Sequence, residues 1–129
     1  MRLGYIILYV PDVAAAVAFY ERAFGIARRM LVDTGEYAEM ETGGTALAFA
    51  KEEFVASWGP AFQPSRAADK PLGVEVAFVS DDVPAAFRNA VDAGATSVVA
   101  PMQKPWGQTV SYVRDLNGFL VEICSPVGN

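Results

Sequence analysis

Tyr5-Ile6-Ile7-Leu8-Tyr9-Val10-Pro11-Asp12-Val13 is the stretch on which the fold of this chain turns, because it holds a strand, a turn and a helix start in succession. Ile6, Leu8 and Val10 fall on one apolar face of a period-two run that opens at Leu3, and Tyr5, Ile7 and Tyr9 take the other. Asp12 stands where an N-cap belongs, and Val13, Ala16, Val17, Tyr20 and Phe24 then recur at helical spacing until Gly25 offers a stop. Three short β-like runs follow, Ile26 to Asp33, Glu36 to Glu41 and Thr45 to Ala50, divided by the turn signals Thr34-Gly35 and Gly43-Gly44. The order is βαβββ.

The same order recurs downstream. Gly73 to Val79 reads as a strand, Asp82 as a cap, Val83 to Ala93 as a helix and Gly94 as its stop. Strands are expected at Ser97 to Ala100, Thr109 to Arg114 and Phe119 to Cys124, with Asn117-Gly118 as a hairpin turn. Placing Asp12-Val13 on Asp82-Val83 sets an offset of 70, which pairs Tyr5 with Glu75; an offset of 69 matches Leu3-Gly4 with Leu72-Gly73 instead. Offset 70 puts Val76 and Phe78 against the helix, whereas 69 buries Glu75 there. An unpartnered buried carboxylate costs several kcal/mol, so offset 70 is preferred and Glu75 points to the open side of the sheet.

The expected architecture is therefore α+β, one domain over residues 1–129, with repeat one at 1–52, a connecting loop at 53–70 and repeat two at 71–129. A chain of 129 residues is of ordinary single-domain size. No stretch approaches the run of roughly 20 apolar residues that spans a bilayer. Residues 1–10 carry one basic residue before an apolar run, but Pro11 and Asp12 follow where a small-residue cleavage site belongs, so a strand is expected there rather than a signal peptide. Cys124 is the one cysteine and has no internal disulfide partner, which points to a cytoplasmic protein. A net charge of -5 repels phosphate backbones, excludes nucleic acid as an expected partner and mildly favours a cationic ligand.

The connection is long for a compact domain and carries Phe54, Trp58, Phe62 and Pro64. Two readings stand: a strap packed over the open edge of a sheet, or the wall of a pocket.

Taken together, Tyr5 to Val13 with Ala18-Phe19-Tyr20 and Phe24-Gly25, Glu75-Val76-Ala77-Phe78 with Asp82-Val83, Pro105-Trp106-Gly107-Gln108, and Arg114 to Glu122 resemble the vicinal-oxygen-chelate superfamily of glyoxalases, bleomycin-resistance proteins and extradiol dioxygenases. The resemblance implies a curved, half-open mixed sheet built from both repeats, with a pocket on its concave side that a second subunit often completes. It also implies four metal-ligand positions, which fall here on Tyr5, Ala48, Glu75 and Glu122. Two of these are lost and one is changed. The chain has no histidine, the commonest ligand for zinc, nickel and non-haem iron. Glu75 and Glu122 are the only metal candidates, an oxygen-only set suited at best to Mg²⁺ or Mn²⁺.

The same two glutamates are candidate catalytic groups, since paired carboxylates raise each other's pKa and a raised carboxyl can move protons. The candidate ligand-binding set is Tyr5, Tyr9, Trp58, Glu75, Trp106, Tyr112 and Glu122: two negative charges for a cation, and aromatic faces for a flat ring. Cys124 alternates with Glu122 and is expected to be a quiet thiol. No nucleophile elbow and no glycine-rich phosphate loop is present. The leading expectation is a small-molecule binding protein of the bleomycin-resistance type, metal-independent and without a cofactor, a homodimer that sequesters an aromatic or cationic ligand. The alternative is a metal-dependent glyoxalase-type lyase or isomerase, or a dioxygenase, with a divergent site.

Overall fold

Asp12 and Asp82 open their helices as their spacing requires: each Oδ1 accepts a hydrogen bond from the backbone N–H three residues on, Ala15 at 3.0 Å and Ala85 at 3.1 Å. Each such cap contributes about 1 kcal/mol to its helix. Gly25 closes the first helix in the left-handed region, at φ 66°. The computed structural model of the chain describes residues 1–127, so Gly128 and Asn129 at the end of the second repeat lie outside the described residues.

The element order is β1 (Tyr5–Val10), α1 (Val13–Phe24), β2 (Arg28–Leu31), β3 (Tyr37–Met40), β4 (Ala46–Lys51), α2 (Glu52–Trp58), β5 (Glu75–Val79), α3 (Val83–Asp92), β6 (Thr96–Gln103), β7 (Thr109–Arg114) and β8 (Leu120–Cys124). The chain divides into two units, Met1–Pro64 and Ser65 onward. The first holds a four-stranded sheet in the order β1-β4-β3-β2, the second a four-stranded sheet in the order β5-β8-β7-β6. In each, the first and last strands of the unit run parallel and the other pairs antiparallel, giving two mixed sheets and an α+β fold of two βαβββ units.

The first unit packs α1 on the face that carries Leu8 and Val10, with Val13, Val17, Phe19 and Tyr20 buried from the helix. Tyr20 meets the Phe49 ring edge-on at 4.9 Å. In the second unit Val113, Val121 and Ile123 are buried on the face covered by α3, and the buried Ser111 hydroxyl donates to the Ile123 carbonyl at 2.8 Å. The two units share one register: Tyr5 lies opposite Ala46 as Glu75 lies opposite Leu120. Along β5, Val76 and Phe78 are the less exposed positions and Glu75, Ala77 and Val79 the exposed ones, as offset 70 requires.

Two elements depart from the sequence reading. The segment expected as loop from residue 53 begins as α2, whose single buried residue is Val55 and whose N-cap, Lys51, makes no side-chain capping bond. The strand expected to end at Ala100 continues through Pro101 to Gln103. Proline is tolerated because β6 is an edge strand, and the pairing with β7 slips between Val99 and Met102 around it. Among the described residues no helix is long and apolar enough to cross a membrane.

Candidate functional site

The register of β5, β8 and β7 sets the candidate site. Glu75 pairs with Leu120 and Ala77 with Glu122, while Tyr112 pairs with Glu122 from the other side. Side chains alternate across a strand, so Glu75, Glu122 and Tyr112 share the face turned away from α3, together with Cys124 and Arg114.

Hydrogen bonding with Glu122, then partial burial, then the Glu122 charge lift the Glu75 carboxyl to a pKa of about 7. The physics is that of two carboxylates at one place: the pair holds a proton more readily than it bears two charges. Tyr112 answers the same field, its phenol pushed up first by burial and then by the charges of Glu122 and Glu75. Burial, then Glu122, also raises the Cys124 thiol, which donates to the Phe78 carbonyl at 3.7 Å. The thiol is a quiet one, as expected from its neighbour.

At the far end of this face Trp106 lies in the turn between β6 and β7 with its ring exposed. Its indole N–H donates to Gln108 Oε1 at 2.9 Å, and Gln108 Nε2 donates to the Ser125 carbonyl at 2.9 Å. Ser125 directly follows Cys124, so the indole is tied through one amide to the end of β8. Sequence reading chose Trp106 and passed over Gln108, although both stand in the same Pro-Trp-Gly-Gln turn. At the opposite end Arg114 ties down the start of the unit, donating to the carbonyls of Arg66, Ala67, Asp69 and Gly118.

The first unit carries the remaining candidates. Tyr5 is exposed and lies opposite the buried Ala46 on the sheet face turned away from α1. Ala48 is fully buried opposite Ile7, with no donor atom in its side chain. Tyr9 is engaged edge-on with Phe62 at 4.9 Å, and Trp58 stands exposed on α2 beside Phe54. A carboxylate that the sequence did not single out, Glu39, faces Ala48 across the β3–β4 pair. It accepts from the Tyr37 hydroxyl at 2.9 Å and pairs with Arg29 at 3.6 Å. Burial and Glu39 together push the Tyr37 phenol up to about 12. So within the second unit Glu75, Tyr112, Glu122 and, through Gln108, Trp106 are brought into one set, whereas Tyr5, Tyr9 and Trp58 belong to the first unit. Among the described residues no three His, Cys, Asp or Glu side chains come together as a group that holds a metal ion.

The family model described as Glyoxalase/Bleomycin resistance protein/Dioxygenase superfamily matches residues 2–123. A glyoxalase-related enzyme from Fulvimarina pelagi superposes with a TM-score of 0.82 at 24% identity, over 99% of this chain and 93% of that one. TioX from Micromonospora sp. ML1 superposes with a TM-score of 0.70 at 27% identity, over 97% of this chain and 98% of its own. A protein of unknown function from Agrobacterium tumefaciens gives a TM-score of 0.76 at 24% identity, over 98% and 95% of the two chains. The search of curated proteins returned no match.

Proposed function

Given that this chain belongs to the glyoxalase, bleomycin-resistance protein and dioxygenase superfamily, we propose that it is a metal-independent small-molecule binding protein of the bleomycin-resistance type, sequestering an aromatic or cationic ligand. The observation that carries this reading is the placement of Glu75 and Glu122 on one face of the β5–β8 pair, with Tyr112 beside Glu122. A cation or a strong hydrogen-bond donor replaces the shared proton and meets two acceptors at once. The exposed indole of Trp106, fixed by Gln108, adds a flat apolar surface on the same unit.

The donor set supports the metal-independent reading. A divalent ion used in catalysis needs several fixed ligands with positions left open for substrate. Among the described residues no third His, Cys, Asp or Glu is grouped with the two carboxyls, and the matched positions in the first unit are Tyr5 and the apolar Ala48. The residues present do not fit such an ion. The protein acts in the cytoplasm as a homodimer in this reading, and its partner is the ligand alone.

The test is calorimetric titration of planar aromatic amines against the full chain, followed in parallel by tryptophan fluorescence. Binding in the micromolar range that Glu122→Gln weakens about tenfold is expected. Silence across a broad panel of such compounds, or stoichiometric divalent metal in chelator-free protein that Glu122→Gln removes, overturns the reading.

A second reading, an enzyme of the glyoxalase-type lyase or isomerase kind, has one observation in its favour. A carboxyl whose pKa stands near 7 is matched to general acid–base work at neutral pH. Solvent deuterium exchange into a bound carbon acid, abolished by Glu75→Gln, distinguishes turnover from sequestration.

A further inference from the structure

The first unit holds a groove of about 550 Å³ that neither reading above uses. One wall is α2, through Glu52, Glu53 and Ala56, and the other is the returning segment from Gly59 to Pro64. Its volume falls within the range of roughly 300–1,000 Å³ typical of small-molecule sites.

Both walls are held in place without a ligand. Val55 anchors α2 from its buried face, and the Gly59 N–H donates to the Val55 carbonyl at 2.7 Å, which turns the chain back along the helix. That turn is tight: a Cβ at Gly59 would meet the Val55 carbonyl oxygen at 3.0 Å. Pro60 and Pro64 fix the backbone at the two ends of the returning wall. Phe62, midway along it, is braced edge-on against Tyr9 at 4.9 Å. A site whose walls are already ordered loses little entropy on filling.

The chemistry of the lining selects the guest. Ala56, Pro60, Ala61, Phe62 and Pro64 offer apolar surface, while Glu52 and Glu53 in the first turn of α2 set two carboxylates on one side. Lys51, which precedes them, is not part of the lining. We propose that this groove is a second binding site, taking a small organic cation whose ring or chain lies on Phe62 and the prolines and whose ammonium group meets Glu52 and Glu53. The site lies in a different unit from the Glu75–Glu122 pair and does not depend on the function proposed for that pair. Phe62 borders the groove and touches Tyr9, so a guest in the groove is expected to shift Tyr9 as well.

The experiment is an amide NMR titration of the full chain with phenethylammonium, its uncharged counterpart 2-phenylethanol and the anion 3-phenylpropionate. The ammonium compound is expected to give saturable shifts at Ala56, Gly59, Ala61 and Phe62, with Tyr9 following. The alcohol binds about two- to fivefold more weakly and the anion gives no saturable shifts at these positions, the size of effect expected for exposed charge pairing. Glu53→Gln weakens the ammonium titration severalfold, and Ala56→Phe, which fills the groove from an exposed position, abolishes it while spectra of the second unit stay unchanged. Glu122→Gln leaves the titration as it was, which separates this site from the one above. Equal binding of amine and alcohol, or amine shifts confined to β5, β7 and β8, overturns the proposal.

Discussion

Glu75 and Glu122 stand on the same face of the parallel β5–β8 pair, Glu75 opposite Leu120 and Glu122 two residues further along opposite Ala77. This is the relationship from which the chemistry of the second unit follows. Carboxylates so placed hold a proton between them, and the groups around them, Tyr112 and Cys124, are both pushed up, first by burial and then by the Glu122 charge.

Stability is expected to fall with rising pH through this pair. Glu75 has its pKa raised to about 7 from an ordinary 4.5, so the folded chain binds the proton more tightly than the unfolded chain does. The contribution is fully present below the unfolded value and disappears as pH rises through about 7. Thermal melts between pH 5 and 8 should show wild type losing on the order of 1–3 °C more than Glu75→Gln across that window, the small size reflecting the exposure of Glu75. Parallel curves for the two proteins would refute the shared proton.

Removing the partner should return Glu75 to ordinary behaviour. In Glu122→Gln the carboxyl has no second carboxylate to share a proton with, and an amide donor favours its charged form. Carbon-13 titration of the Glu75 side chain is expected to move from about 7 toward the carboxylate range, with the Tyr112 phenol moving down as well. An unmoved Glu75 midpoint would mean that burial, not Glu122, sets it.

The Trp106 indole should loosen when its acceptor is removed. Gln108→Ala takes away the oxygen that holds the indole N–H at 2.9 Å and the amide that ties this turn to Ser125. In a Trp58→Phe background, which leaves Trp106 as the sole tryptophan, fluorescence anisotropy falls and affinity for a planar aromatic cation drops about three- to tenfold. Gln108→Glu, which keeps an acceptor for the indole, restores the anisotropy. If Gln108→Ala leaves both measurements unchanged, the turn takes no part in binding.

What could be read from the sequence was whatever is written locally or by repetition. The caps Asp12 and Asp82 act on residues three positions away, and the period-two face of Tyr5 to Val10 needs no distant partner. The register of the second repeat was legible because burying Glu75 under α3 is so unfavourable that only one alignment survives. Helix α2 escaped notice because it is short, carries one buried side chain and has no side-chain cap. Gln108 escaped for a different reason: it is a neutral amide whose role comes from bonding Trp106 on one side and Ser125, seventeen residues away, on the other. The Glu39–Arg29–Tyr37 cluster likewise arises only when β3 is folded beside β2.

The turn before β8 supplies a stability test with an internal control. Gly118 has φ +87°, and a Cβ there would lie 2.5 Å from the Arg66 carbonyl oxygen and 2.6 Å from Arg114 Nη2. Gly35 has φ +75°, but a Cβ there would meet nothing within 4 Å, so it carries the backbone penalty without the collision. Gly35→Ala is expected to cost about 1 kcal/mol, as is ordinary for an L-residue held in the left-handed region. Gly118→Ala costs more, about 3 kcal/mol, because backbone on one side and the anchored Arg114 guanidinium on the other must both shift. Urea denaturation of the two variants beside wild type measures the difference. Equal losses would mean that the segment around Arg66 yields freely, and with it the argument that Arg114 fixes the entry to the second unit.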